Sequence, residues 1–123
     1  MPGSERKNEE MVKLRKDVEK TLSELGFRLL DNSVVEGRSG VYHEFDLVAK
    51  TKDGKKLTVK MMGDKGDPAS IIALRICLFD TKIDKCIIVG KGISDDVVQL
   101  ARTCEMNVVK DVKELKAVLR SLS

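Results

Sequence analysis

The sequence contains few aromatic residues and few residues that bind transition metals. Its 123 residues include one tyrosine, three phenylalanines and no tryptophan, which argues against an aromatic platform for stacking the bases of a single-stranded nucleic acid. The one histidine, His43, has no partner ligand at zinc-site spacing. The three cysteines, Cys77, Cys86 and Cys104, lie among apolar neighbours without a CxxC pair, so we expect structural thiols in a reducing compartment.

Long apolar runs are also missing. No stretch approaches the roughly 20 residues that cross a membrane, and the N-terminal MPGSERKNEE lacks the apolar core of a signal peptide. We therefore expect a cytoplasmic protein without membrane contact. The length suits a single domain. A net charge of +3 is too small to identify a nucleic-acid partner by itself.

The spacing of apolar residues predicts the first half of the fold. We expect a flexible N-terminus over residues 1–8, followed by a single domain over residues 9–123. A helix from Glu9 to Leu25 is indicated by apolar residues at every third or fourth position. A short apolar edge over residues 27–35 comes next. Two alternating stretches, 41–49 and 55–62, then flank Asp53-Gly54, which is a strong hairpin signal.

The second half alternates helices with strands. Asp67-Pro68 opens a helix that we expect to run to about Phe79. KCIIVG is typical of a buried parallel strand. A helix from Ser94, a strand at MNVV and a final helix capped by Asp111 and Glu114 complete the chain. The predicted class is α/β, with element order α-β-β-β-α-β-α-β-α and a mixed sheet that has helices on both faces.

The predicted hairpin is where reactive groups converge. Alternation places Glu44 and Asp46 on one face of the first strand, opposite Phe45 and Leu47. On the second strand the shared face carries Lys56, Thr58 and Lys60. If the turn pairs the strands in register, carboxylates and lysines meet across the ladder. Such a face suits metal-dependent phosphodiester hydrolysis. A solvated face of cross-strand Glu/Lys pairs gives the same pattern.

The order of elements, the segment FDLVA, the hairpin and the strand KLTVK resemble the restriction-endonuclease-like nuclease superfamily. Within it the chain is similar to the branch of Mrr-type endonucleases and archaeal Holliday-junction resolvases. The segment KCIIVGKGISDDVVQLARTCEMNVVKDVKELKAVL is similar to the C-terminal half of the Mrr type. The resemblance covers residues 9–122, and its motifs are short and degenerate. It implies a restriction-endonuclease-like sheet and a site that uses Mg²⁺.

The resemblance implies catalytic roles for Asp46 and Lys60, which match the aspartate of the family's first motif and the lysine of its second. The acidic residue expected two positions before the lysine is replaced by Thr58. Because threonine supplies a neutral oxygen and no charge, we expect Mg²⁺ to bind weakly. Glu44 is one candidate for a relocated ligand beside Asp46.

A further family glutamate on the first helix falls near Arg15, and Glu19 lies one helical turn later. Glu19 is thus a second candidate for the missing carboxylate. The match is therefore confined to two of the family's four positions.

The loop over residues 36–40, with the sequence EGRSG, has two interpretations. Glycines that flank Arg38 and Ser39 could expose backbone N–H groups to a phosphate. The spacing matches neither a Walker A motif nor GxGxxG, and a plain flexible turn is the simpler interpretation. We expect His43 to be half-buried in the core rather than catalytic.

Positive charge is concentrated on the hairpin. Between positions 50 and 65 there are six lysines against two acids. The predicted phosphate-binding side chains are Arg38, Lys50, Lys52, Lys55, Lys56 and Lys65. A solvated, charged hairpin is the alternative interpretation.

Three functions remain open. The first is a nuclease-like domain that binds nucleic acid, with DNA as the expected ligand and no sequence preference, and cleaves weakly or not at all. The second is an active Mg²⁺-dependent endonuclease that uses Asp46 and Lys60. The third is a non-catalytic interaction or assembly domain. A homodimer would be consistent with relatives that cut two strands.

Overall fold

The computed structural model describes residues 2–63 and 66–122. For residues 2–8 it describes only the backbone. Its first half runs α1 (Pro2–Glu24), β1 (Arg28–Leu29), β2 (Val34–Glu36), β3 (Tyr42–Glu44), β4 (Leu47–Lys50) and β5 (Lys56–Met61). Its second half runs α2 (Pro68–Thr81), β6 (Lys85–Val89), α3 (Asp95–Thr103), β7 (Asn107–Val109) and α4 (Val112–Leu122).

The main sheet is mixed. Its strand order is β1-β4-β5-β6-β7, with antiparallel pairing from β1 to β5 and parallel pairing from β5 to β7. Strands β2 and β3 form a separate antiparallel pair. The chain is therefore an α/β fold with a five-stranded mixed sheet between helices, which confirms the predicted class.

The Asp-Gly turn forms as predicted and sets the central register. Gly54 has φ +88°, a conformation that glycine adopts without a steric penalty. Thr51 N–H donates to the Lys55 carbonyl at 2.9 Å. This closure aligns Lys50 with Lys56 and Leu47 with Val59.

Two apolar layers cover the sheet. On one face, Val18 and Leu22 of α1 and Leu115 of α4 pack on β5 and β6. On the other face, Ile71 of α2 and Val97 of α3 pack with Val48 of β4 and Ile88 of β6. Alternation along β5 sends Leu57, Val59 and Met61 to the first layer, and so directs Thr58 and Lys60 to the second.

Local signals fixed the helix ends. The Asp67 carboxylate accepts the Ala69 N–H at 3.1 Å, and Pro68 is the first residue of α2. Asp111 caps α4 by accepting the Glu114 N–H at 2.9 Å. Helix α2 continues to Thr81, slightly beyond the end predicted at Phe79.

The predicted element order was wrong before α2, where five strands stand in place of three. The stretch 41–49 is two strands, because β3 pairs with β2 and β4 pairs within the main sheet. At the break, Phe45 N–H donates to the Ser33 carbonyl at 2.9 Å. Phe45 packs in the α2 layer and Leu47 in the α1 layer, so the prediction that they share a face was also wrong. Alternation alone does not reveal where a strand changes partners.

The first helix starts earlier than expected. It begins at Pro2 rather than Glu9, so residues 2–8 belong to α1. The early start reflects a run rich in helix-forming Glu, Lys and Arg without any glycine between Ser4 and Leu25. The flexibility expected for residues 1–8 stays a prediction.

Candidate functional site

Asp46 and Lys60 meet across two neighbouring strands. Asp46 immediately precedes β4, and Lys60 is the penultimate residue of β5. Because Leu47 pairs with Val59, the next antiparallel position sets residue 46 opposite residue 60. Lys60 Nζ lies 3.5 Å from Asp46 Oδ2, and both side chains are partly exposed. The two side chains therefore share a sheet face, as expected.

The Asp46 carboxylate has a second partner. Its Oδ2 also accepts the Met61 N–H at 3.0 Å. One oxygen thus accepts a backbone N–H and lies beside the lysine ammonium group, which fixes the carboxylate at the end of β5. These contacts offset part of its negative charge before any ligand arrives.

Thr58 lies in the floor of the same site. Its side chain is only 1% exposed, and Oγ1 donates to the Leu47 carbonyl at 2.7 Å. This hydrogen bond satisfies a buried hydroxyl and ties β5 to β4. Thr58 therefore acts as a structural residue and brings no negative charge to the site.

A shallow cavity of about 200 Å³ opens between these strands and α2. Its lining residues are Glu44, Phe45, Asp46, Thr58, Lys60, Ser70, Ala73, Leu74 and Cys77. By volume it holds a handful of waters at the liquid density of roughly 30 Å³ each. A phosphate oxygen could reach Lys60 there, whereas a whole nucleotide is too large to be enclosed.

Of the two candidates for the missing carboxylate, Glu44 and Glu19, only Glu44 lies at the site. Glu44 is exposed and lines the cavity from the end of β3, so the structure brings it beside Asp46 although the two are not on one strand. Glu19 instead pairs with Arg15 at 3.1 Å on α1, and α1 packs on the opposite sheet face from Lys60. Glu19 therefore does not replace the missing carboxylate.

The residues at this site do not fit a resident Mg²⁺ ion. Magnesium requires near-octahedral oxygen ligation and usually one or two free carboxylates. Among the side chains that the structure describes, those of residues 9–63 and 66–122, no group of three or more His, Cys, Asp or Glu could hold a metal. Asp46 is engaged by Lys60 and Met61, and Thr58 is buried against Leu47.

The neighbouring thiols are not activated. Burial raises the pKa of Cys86 to about 12, against a smaller opposing effect from Lys60. Burial also raises the pKa of Cys77, and Asp80 adds to that shift. A thiol with a raised pKa is a poor nucleophile at neutral pH. The cysteines are free and support the structural interpretation.

The loop over residues 36–40 binds an anion that belongs to the chain itself. The Asp80 carboxylate, at the end of α2, accepts Ser39 N–H at 3.0 Å and Ser39 Oγ–H at 2.6 Å. His43 Nε2 lies 2.8 Å from the same carboxylate. Hydrogen bonds from Ser39, then from His43, lower the pKa of Asp80 to about 2. The loop is therefore neither an open phosphate site nor a free turn. The N–H and the hydroxyl of Ser39, which could have bound a phosphate, already donate to the Asp80 carboxylate.

The contacts of Asp80 also explain the roles of His43 and Gly37. His43 is partly buried and bonded to Asp80, so its role is to hold the hairpin on α2. A Cβ at Gly37 would lie 1.8 Å from Asp80 Oδ2, so only glycine fits beside the bound carboxylate. The sequence carried one overlooked signal: Asp80 is an acid in the last turn of a helix, where the helix dipole disfavours it.

The predicted basic residues do not form one cluster. Lys50, Lys52, Lys55 and Lys56 surround the β4–β5 turn. Arg38 lies apart, on the 36–40 loop, with its guanidinium carbon 5.9 Å from the centre of the Phe79 ring. Lys65 lies outside the described residues.

The part of the chain that the structure describes contains no helix long and apolar enough to span a membrane. Comparison with protein-family models, with curated proteins and with solved structures yields no match, so the geometry and the sequence pattern must carry any functional assignment.

Proposed function

We propose that this protein is a nucleic-acid-binding domain that resembles the restriction-endonuclease-like nucleases and has weak or lost metal-dependent phosphodiesterase activity. The observation that carries the proposal is the cross-strand pair of Asp46 and Lys60 beside a buried Thr58. This arrangement keeps the aspartate and the lysine of a nuclease-type motif and lacks its second acid.

The charge at the site argues against efficient cleavage. Asp46 contributes one negative charge, and Lys60 balances it at 3.5 Å. A hard dication is attracted mainly by net negative charge, and among the described residues Glu44 is the one further carboxylate that lines this cavity. A weakly held metal would activate water and stabilise charge at phosphorus poorly.

The basic residues of the hairpin support phosphate binding. Lys52 and Lys55 are exposed in the turn, and they lie beside Lys50 and Lys56 at the ends of β4 and β5. Lysines contact phosphates as point charges without reading bases. We therefore propose a nucleic-acid partner, with duplex DNA as the first ligand to test, bound without sequence preference.

A salt titration tests this binding. For duplex DNA, three or four phosphate contacts give a slope of log affinity against log salt of roughly −3 to −4. Lys55→Ala combined with Lys56→Ala should weaken binding evenly across sequences and flatten the slope, as measured by fluorescence anisotropy. Lys13→Ala combined with Lys16→Ala, two exposed residues of α1, is the matched control. No binding of duplex, single-stranded or branched DNA at low salt would refute the proposal.

The alternative of an active endonuclease makes the opposite prediction for catalysis. Robust Mg²⁺- or Mn²⁺-dependent cleavage that disappears in Asp46→Ala would establish it. In that case Glu44, beside Asp46 in the cavity lining, is the residue to test as the relocated ligand.

An assembly domain is the second candidate function, because α2 is apolar on its outer side. Ile72, Ile76 and Phe79 are 52%, 62% and 74% exposed, and their spacing places them on one helix face. Exposed apolar patches mark interaction sites. Sedimentation of the wild type and of Ile76→Glu separates the functions: concentration-dependent dimers lost in Ile76→Glu, without DNA binding, would favour assembly.

A further inference from the structure

Three basic residues lie side by side across three strands at the turn end of the sheet. Arg28 on β1 pairs with Lys50 on β4, and Lys50 pairs in turn with Lys56 on β5. Residues directly opposite in antiparallel strands are about 4.5–5.5 Å apart at their α-carbons and point to the same face. The sequence separates Arg28 from the two lysines, so only the register reveals the row.

The face of this row can be assigned. Val48 and the neighbouring Cys86 belong to the layer that contains α2, whereas Ala49 and Leu57 belong to the α1 layer. Lys50 is two residues from Val48 and Lys56 is two residues from Thr58, so both point to the α2 side of the sheet. Arg28 shares this side because it is opposite Lys50.

The charges of the row are not balanced by ion pairs among the described residues. Within the described residues, none of the three side chains has an ion pair within 4.0 Å. The nearest carboxylate that the contacts identify, Asp84, accepts the backbone N–H of Lys56 at 2.9 Å. Like charges directly opposite in a sheet destabilise it. A ligand that carries negative charge would relieve this repulsion.

We propose that Arg28, Lys50 and Lys56 form a phosphate-binding row that takes the backbone of a nucleic acid across the turn end of the sheet. The inference rests on the proposed nucleic-acid function and deepens it by naming the contact surface and by adding Arg28. Three cations in a line fit an array of phosphates better than one small anion. Arg28 adds a planar fork that can bond two oxygens of one phosphate.

The row also lies near the cavity of Asp46 and Lys60. Lys56 and Lys60 are on one strand four residues apart, a separation of about 13 Å along the strand. Because a DNA duplex is wider than its major groove of about 12 Å, a duplex that contacts the row can also reach the cavity. One nucleic acid could then contact the row through its backbone and place a phosphate at the cavity of Asp46 and Lys60.

The decisive variant carries Arg28→Gln, Lys50→Gln and Lys56→Gln. Its matched control carries Lys13→Gln, Lys16→Gln and Lys113→Gln, which removes the same charge from exposed residues of α1 and α4. Affinity for duplex DNA and for inorganic tripolyphosphate is measured at several salt concentrations. Melting temperatures are measured without ligand.

We expect the row variant to lose affinity for DNA more than about tenfold at low salt and to flatten the salt slope by about 2.7, which corresponds to three phosphates. Its melting temperature should rise by about 1–3 °C in low salt, because the repulsion is removed. The control variant should keep most of the wild-type slope. Arg28→Lys should keep the slope and bind more weakly, because it retains the charge and loses the fork.

The outcomes separate this inference from the function on which it rests. If the wild type binds DNA and the row variant binds equally well, the row is overturned and the function stands. If the wild type binds tripolyphosphate through the row and no nucleic acid, the phosphate site stands and the nucleic-acid function fails. If the wild type binds neither ligand, both fail.

Discussion

Lys60 Nζ lies 3.5 Å from Asp46 Oδ2, an oxygen that also accepts a backbone N–H from Met61. The ammonium group of Lys60 therefore offsets the charge of the carboxylate that would attract a divalent cation. We therefore expect the ion pair, in addition to the threonine at position 58, to lower the affinity of the site for divalent cations.

We expect Lys60→Met to raise the affinity for Mg²⁺ above that of the wild type, because it leaves the charge of Asp46 uncompensated. Asp46→Asn should abolish the remaining affinity. Isothermal titration or NMR titration with MgCl₂ measures both effects. The Asp46→Asn variant also serves as the control for non-specific binding. Equal Mg²⁺ affinity in all three proteins would show that the pair has no electrostatic role.

Thr58→Glu should lower stability and raise Mg²⁺ affinity. The buried Thr58 hydroxyl would be replaced by a carboxylate, and burying an uncompensated polar group costs about 1–3 kcal/mol. Mg²⁺ should then raise the melting temperature of this variant more than that of the wild type, because a bound ligand stabilises the folded state. Thr58→Val, which loses the hydrogen bond to Leu47 without gaining a ligand, is the control. A melting temperature of Thr58→Glu that does not respond to Mg²⁺ would contradict the prediction.

The contact of Asp80 with the 36–40 loop should depend on pH. Hydrogen bonds from Ser39 and His43 lower the pKa of Asp80 from its usual value near 4 to about 2. A lowered pKa means that the contact stabilises the fold above about pH 4. The stabilisation is lost as the pH falls towards 2. The melting temperatures of wild type and Asp80→Asn should therefore differ at pH 7 and converge at low pH. A difference that is constant from pH 7 to pH 2 would show that the carboxylate charge is not involved.

Gly37→Ala should detach the β2–β3 hairpin from α2. The added Cβ would lie 1.8 Å from Asp80 Oδ2, and that carboxylate cannot move without losing its bonds to Ser39 and His43. Gly63→Ala is the matched control, because a Cβ there meets nothing within 4 Å. Amide hydrogen exchange should show faster exchange at Val41 and Phe45 in Gly37→Ala only. Unchanged exchange would mean that the loop adapts without loss of the contact.

The sequence by itself determined the α/β class, the helices and the central hairpin. These features depend on local chemistry: the caps of Asp67 and Asp111, the Asp53-Gly54 turn, and apolar residues at helical or strand spacing. It also indicated that Asp46 and Lys60 face each other, because a short turn fixes the register of the two strands that it joins.

The tertiary structure alone decided how distant segments meet. It split the stretch 41–49 into β3 and β4, since a change of pairing partner leaves alternation intact. It brought Asp80 to Ser39 across 41 positions and aligned Arg28 with Lys50 across 22. Such contacts depend on the packing of whole elements around a shared core, and no local period in the sequence records that packing.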